Sequence, residues 1–227
     1  MTHPNCLDGH LIHLQELTPR HLYLLEQVAS NPLIWQNLPV EGWRNEVFWV
    51  WASEALEHQK TGKAFVFAVV DNRNGNIVGT TRFQDMDLRH NKTDIGWTWY
   101  DPSVWGLGFN FEAKKLMLTH AFEEWKVARV GFKVDERNRR SQRALEKIGA
   151  SKEGFIRKHM IRPDGSNRNS FLYGLTDEDW FLNAKQMVQN SMVEAIIMQK
   201  TNQNFIQDAK ISRFQNAQIQ VNEILEF

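Results

Sequence analysis

The stretch at residues 93–113, TDIGWTWYDPSVWGLGFNFEA, constrains this chain more than any other. It reads as a strand, a turn carrying Gly106 and Gly108, and the first residues of a helix whose apolar positions are Ala113, Leu116, Met117, Ala121 and Phe122. The first N–H groups of a helix have no partner inside it, and the aligned peptide dipoles add partial positive charge there. Two glycines just before such a start leave the backbone uncovered, which makes the turn a site for phosphate. It is not one of the two common nucleotide loops, because WGLGFN matches neither GxxxxGK[ST] nor GxGxxG.

Composition narrows the partners. Lys and Arg together number 27, as do Asp and Glu, so no global field exists to hold nucleic acid or an anionic membrane, and phosphate recognition must be local. The single cysteine, Cys6, can form no internal disulfide, the start of the chain lacks a signal peptide's apolar core, and no apolar run reaches the roughly 18–20 residues of a membrane span. The expectation is a cytoplasmic protein with no membrane and no nucleic-acid partner. A length of 227 residues suits one domain plus an extension, and most of the nine tryptophans belong in its core.

The pattern around the turn reads as follows. Leu11–Leu14 alternates as a short strand, and Thr18-Pro19 starts a helix that Asn31-Pro32 ends. Residues 33–43 form a loop, and the stripe Val47, Phe48, Trp51, Ala55, Leu56 predicts a helix from Asn45 to about Thr61. Residues 65–70 and 77–86 predict a hairpin about an Asn-Gly turn, followed by a strand from Thr93 to Tyr100. A helix over about 109–125 crosses to a strand at 129–134, which is therefore expected to lie parallel to the strand before the glycine turn. Ser141–Ile148 is helical with Gly149 just past its end, two strands flank Pro163-Asp164-Gly165, and a further helix begins at Thr176.

A second motif follows the turn about 30 residues on: Asn138 and Ser141, then Glu146-Lys147-Ile148-Gly149. The glycine loop, a helix opening on Glu112-Ala113, and N-x-x-S followed by E-K-x-G together resemble the GNAT superfamily of acetyl-CoA-dependent N-acetyltransferases. Within it the nearest resemblance is to the branch of ribosomal-protein N-terminal acetyltransferases, over roughly residues 8–180. Two positions depart from the pattern: Trp105 stands where Gln or Arg is usual, and Asn110 where Gly or Ala is usual. The resemblance implies an α+β fold, a mixed, mostly antiparallel central sheet flanked by helices, with a parallel, splayed strand pair at the acyl-CoA site. It sets a domain at 1–181 and leaves 182–227, rich in Gln and Asn, as a helical extension that is either a solvated, partly ordered tail or a helix that dimerises or covers a pocket.

The same resemblance implies the chemistry. Main-chain N–H groups of Gly106, Leu107, Gly108, Phe109 and Asn110, beside Trp105, hold the CoA pyrophosphate. Main-chain groups of Trp99 and Tyr100 pair with the pantetheine arm, and Arg140 and Arg143 add charge at the nucleotide end. Asn138 and Ser141 lie one helical turn apart and can face one ligand. Ser141 then stands near the sulfur, as proton donor or as an orienting hydroxyl. Because a thiol leaves without much help, no covalent nucleophile and no metal is required. Asp94 is the candidate base, acting through water, or an anchor for an ammonium, or simply a strand-edge carboxylate paired with an arginine such as Arg82; His90 and His120 are the alternatives. Trp35, Trp43 and Trp97 are expected to line an aromatic cleft for the amine. The implied activity is acetyl transfer to a primary amine, a protein N-terminus or a small molecule, by direct attack in a ternary complex. The competing reading is an acyl-CoA-binding regulatory module without turnover.

Overall fold

A computed structural model describes residues 2–197 and 201. Eight strands form one sheet: β1 (Cys6–Asp8), β2 (Ile12–Glu16), β3 (Ala64–Asp71), β4 (Ile77–Asp87), β5 (Lys92–Tyr100), β6 (Arg129–Asp135), β7 (Ser151–Ile161) and β8 (Asn167–Thr176). Their order across the sheet is β1-β2-β3-β4-β5-β6-β8-β7, and β5–β6 is the parallel pair among antiparallel neighbours. The short β1 was not expected from the sequence, its three residues being too few to show a period.

Strand β3 shows why the sheet is covered on both faces. Its apolar run divides by alternation: Phe65, Phe67 and Val69 enter one core, Val66, Ala68 and Val70 the other. Helices α1 (Pro19–Ala29) and α2 (Asn45–Lys60) bury Leu22, Leu25, Phe48, Trp51 and Ala55 in the second core. Helix α3 (Phe109–Thr119) and the short α4 (Arg139–Lys147) cover the first. The long helix expected to Trp125 widens into a π turn at His120–Glu124, where Trp125 N–H reaches His120 O at 3.0 Å. That turn packs the Trp125 ring 4.6 Å from the Phe83 ring.

The Glu112 carboxylate ties α3 to the sheet edge. It is 3% exposed and accepts N–H bonds from His10 (2.8 Å), Leu11 (2.6 Å) and Ile12 (2.8 Å), the turn that carries β1 into β2.

Helix α5 (Asp177–Asp179) continues through a π turn (Trp180–Ala184) into helical residues 185–197. The expected break after 181 falls inside this helix, whose Trp180, Ala184 and Val188 are fully buried in the first core, Trp180 stacked on Phe122. A polar composition hid an apolar stripe that the helix turns inward. Residues 198–200 and 202–227, where most of the expected dimerising extension falls, lie outside the described residues. Among the described residues no helix is long and apolar enough to cross a membrane.

Candidate active site

The site begins as a defect in the sheet. Strands β5 and β6 pair only from Lys92↔Arg129 to Asp94↔Gly131. Three residues on, Thr80↔Trp99 follows Arg82↔Gly96 on the β4 side, so Trp97 and Thr98 together face Thr81 alone: a β-bulge. Its extra residue is Trp97, held at φ +48°, a conformation that costs a bulky side chain on the order of 1–3 kcal/mol and clusters at functional sites. The bulge bends β5 away from β6 and opens a cavity of about 420 Å³. Residues 95–100 of β5, Phe132–Asp135 of β6, the glycine turn and the start of α4 line it.

At one end of the cavity lies the turn. Gly106 and Gly108 have φ +81° and +87°, the left-handed region that L side chains avoid. At Gly106 nothing lies within 4 Å of where a Cβ would sit, so the space above the turn is open. The N–H groups of Gly106, Gly108, Phe109 and Asn110 have no backbone partner among the described residues, as the helix start requires. Leu107 differs from expectation: its N–H is bonded to Val104 O at 3.3 Å and its side chain packs on the core, so it is not a free donor.

Trp105 fills the place of the expected polar residue in another way. Its Nε1 donates to Tyr100 O at 3.0 Å, and the Arg140 guanidinium lies 3.7 Å above its ring. A cation stacked on an indole is held there by the ring's quadrupole. The tryptophan thus fixes a positive charge beside the open amides. Burial lowers the Arg140 pKa. Arg143 and Ser141 line the cavity from the next turn of α4. Asn138 caps that helix, its Oδ1 accepting Ser141 N–H at 3.0 Å, so its side-chain carbonyl is committed to the fold.

The expected acceptor residues divide. Trp97 lines the cavity, with the Arg82 guanidinium 4.9 Å from its ring centroid. Trp35 does not: it is 4% exposed in the second core, its Nε1 bonded to Ala29 O at 2.7 Å, and its neighbours Ile34, Asn37 and Leu38 reach the cavity instead. Trp43 stands on the surface, 41% exposed, with Arg44 over it. Both were assigned by residue type, which cannot distinguish a core indole from a cleft wall.

Asp94 is paired not with Arg82 but with Lys133, whose Nζ is 2.9 Å from Asp94 Oδ2 and 2.6 Å from Asp85 Oδ2. Burial alone would lower the Lys133 pKa, and the hydrogen bonds to Asp85 and Asp94 outweigh it and raise it. Asp94 lies beside the cavity, behind Lys133, which lines it. The two histidines weighed as alternatives are remote: His90 is bonded to Asp87 at an exposed turn, and His120 packs on Trp125.

Among the cavity residues that sequence reasoning did not assign are two buried cations. Arg168 is 7% exposed and shares Asp135 with Arg162, which holds both oxygens of that carboxylate at 3.1 and 2.9 Å. Lys114, 6% exposed on α3, has Thr98 Oγ1 as its hydrogen-bond partner, at 3.3 Å. Its signal was visible in principle, since it occupies a core position of the α3 stripe, one residue after the buried Ala113. Among the described residues no group of three or more His, Cys, Asp and Glu side chains is placed to hold a metal ion.

The sheet opens at a bulge beside an uncapped helix start, and the class of protein this belongs to follows from direct comparison. The acetyltransferase (GNAT) domain model matches residues 12–151, and the chain belongs to that family. A putative acetyltransferase from T. thermophilus is 30% identical with a TM-score of 0.74, covering 84% of this chain and 98% of that one. The ribosomal protein uS5-alanine N-acetyltransferase of Escherichia coli (strain K12) is 27% identical over 129 residues, 55% of this chain and 63% of the relative. RimJ of Mycobacterium smegmatis, in complex with CoA-disulfide, shares the fold at a TM-score of 0.68 and 20% identity, covering 84% and 97% of the two chains. The chain spans about half the length of the curated relatives it matches first.

Proposed function

We propose that the protein transfers an acetyl group from acetyl-CoA to a primary amine, a protein N-terminus or a small molecule, by direct attack in a ternary complex. The observation that carries this reading is the conjunction of free amides at Gly106, Gly108, Phe109 and Asn110 with the unpaired edges of β5 and β6 beyond Asp94. CoA fits this arrangement. Its pyrophosphate takes the amides and Arg140, and Arg143 meets the nucleotide end. Its pantetheine amides meet the edge of β5 that faces β6 along Trp99 and Tyr100, where Tyr100 O is already held by Trp105 Nε1. Acetyl-CoA when bound supplies an activated acyl carbon. The chain's own part is to hold it, to aim an N–H at the oxygen that gains charge, and to exclude water.

In this reading Ser141 orients or protonates the sulfur. Asp94, with Lys133 and Asp85, forms a polar margin that meets the incoming ammonium. Trp97, Ile34 and Leu38 give that margin an apolar wall, which suits the end of a peptide. The ribosomal protein uS5-alanine N-acetyltransferase among the relatives favours a protein acceptor, and the even charge balance favours action in the cytoplasm with no membrane or nucleic-acid partner.

Two measurements test the proposal. CoA should raise the thermal midpoint of the protein, and acetyl-CoA should release free thiol when one of a panel of peptides with N-terminal Ala or Ser, or of small amines, is added. Heat protection with no thiol release on any amine would favour the binding module instead; no heat protection at all would remove the assignment.

A further inference from the structure

Lys114 has no role in the chemistry described so far, and its place is costly. An amine taken out of water without a carboxylate partner is strongly disfavoured in its charged form, so such a group is retained only where it serves something. Lys114 projects from the second turn of α3 into the gap that the bulge opens. Its Nζ is 3.3 Å from Thr98 Oγ1 on β5 and 5.6 Å from the Phe132 ring centroid on β6, so it stands between the two strands where they have parted. Both residues line the cavity with it.

We propose that Lys114 carries the proton of the transfer step. As a neutral amine it accepts the proton that the acceptor nitrogen sheds after attacking the thioester carbonyl. As an ammonium it returns that proton to the CoA sulfur when the C–S bond breaks, which leaves Ser141 the orienting role. One C–N bond forms, one C–S bond is lost, and the proton ends on the thiol, so no further reactant is needed. The inference rests on the acetyl-transfer reading above and adds to it the group that neither Asp94 nor a histidine supplies.

The surroundings leave the amine free to do this. On its own helix Glu112 is turned to the β1–β2 loop. Across β6, Lys133 is matched by Asp85 and Asp94, and Asp135 by Arg162, while β4 and β5 present the Thr81 and Thr98 hydroxyls, bonded to each other at 2.7 Å. From α4 come Ser141, Arg140, Arg143 and Lys147, and from β8 Arg168, all lining the same cavity. No acid among them holds Lys114 protonated. Burial brings its pKa down to about 7, where one group can both accept and donate near neutral pH.

The test is the pH profile of kcat for the full chain with acetyl-CoA. The wild type should show an acid limb near pH 7 that stays in place when the acceptor is exchanged for one whose amine pKa differs by about two units. K114M, which keeps the length of the side chain without its nitrogen, should lose about 10²-fold in kcat and lose that limb. Its KM for acetyl-CoA and its heat protection by CoA should stay within about threefold of wild type. A limb that follows the acceptor's pKa, or K114M within threefold of wild-type kcat, overturns the role of Lys114 while acetyl transfer stands. Should K114M fail to fold, the wild-type arm decides alone. Absence of CoA protection in the wild type would fell the underlying reading instead, and this proposal with it.

Discussion

Replacing Glu112 by alanine tests the claim that one carboxylate fastens the phosphate-facing helix to the edge of the sheet. Three main-chain donors converge on it, from His10, Leu11 and Ile12, at 2.6–2.8 Å. Ile12 is fully buried, Leu11 half-buried and His10 at the surface. An N–H left buried without a partner costs about 1–3 kcal/mol, whereas one that water can reach costs little. Counting the Ile12 donor in full, the Leu11 donor in part and the His10 donor as nearly nothing gives about 2–4 kcal/mol for E112A. Leu11 also packs against the position of Gly108, where a Cβ would come within 3.2 Å of its Cδ1, so loosening this loop reaches the turn itself. Urea denaturation followed by tryptophan fluorescence reads the loss as a lower midpoint at unchanged slope. E112Q, which keeps one acceptor oxygen, should fall between. A loss below about 0.5 kcal/mol for E112A would refute the reasoning, because it would mean these amides find other partners without cost.

Three further outcomes follow from the same geometry. W105A removes the ring that holds Arg140, so its affinity for CoA should fall about 3- to 30-fold, and R140A should fall at least as far; titration calorimetry on both, and on the double variant, should show them non-additive. G106A has open space for its methyl but a φ of +81°, so it should cost about 1–2 kcal/mol of stability, with weaker CoA binding, both visible in thermal shift with and without CoA. Glu123 accepts from Trp180 Nε1 at 3.0 Å and Lys185 Nζ at 2.9 Å; burial would raise its pKa, but these bonds outweigh it and hold the group below its usual 4.5. A depressed carboxylate contributes stability above its unfolded pKa and loses it as pH falls through the folded one. The stability gap between wild type and E123Q should therefore be full above about pH 5 and close as the solution is acidified below about pH 4, in acid titrations monitored by tryptophan fluorescence.

Local chemistry made much of the fold legible. Pro19 and Pro32 bracket α1, Gly62 stops α2, Asn74-Gly75 turns the β3–β4 hairpin, and each acts through dihedral limits that hold wherever the residue is placed. The crossover from β5 through α3 implied the parallel pair for a similar reason, since no short connection can join parallel strands. The site was legible only where it is backbone. Gly106 and Gly108 stand out because a positive φ excludes other residues. The side chains were less readable: Trp35, Trp43 and Trp97 looked alike in the sequence, and one is core, one surface and one cavity wall.

The sequence by itself determined the order of elements, the uncovered helix start and the family, because dihedral preference, hydrophobic period and motif spacing are properties of neighbours along the chain. Tertiary structure alone decided that Lys133 and not Arg82 meets Asp94, that Trp105 carries Arg140, and that Lys114 is shut in a gap without a counter-charge. Each of these is a matter of burial and charge pairing, which are set by what the fold brings together from elements far apart along the chain.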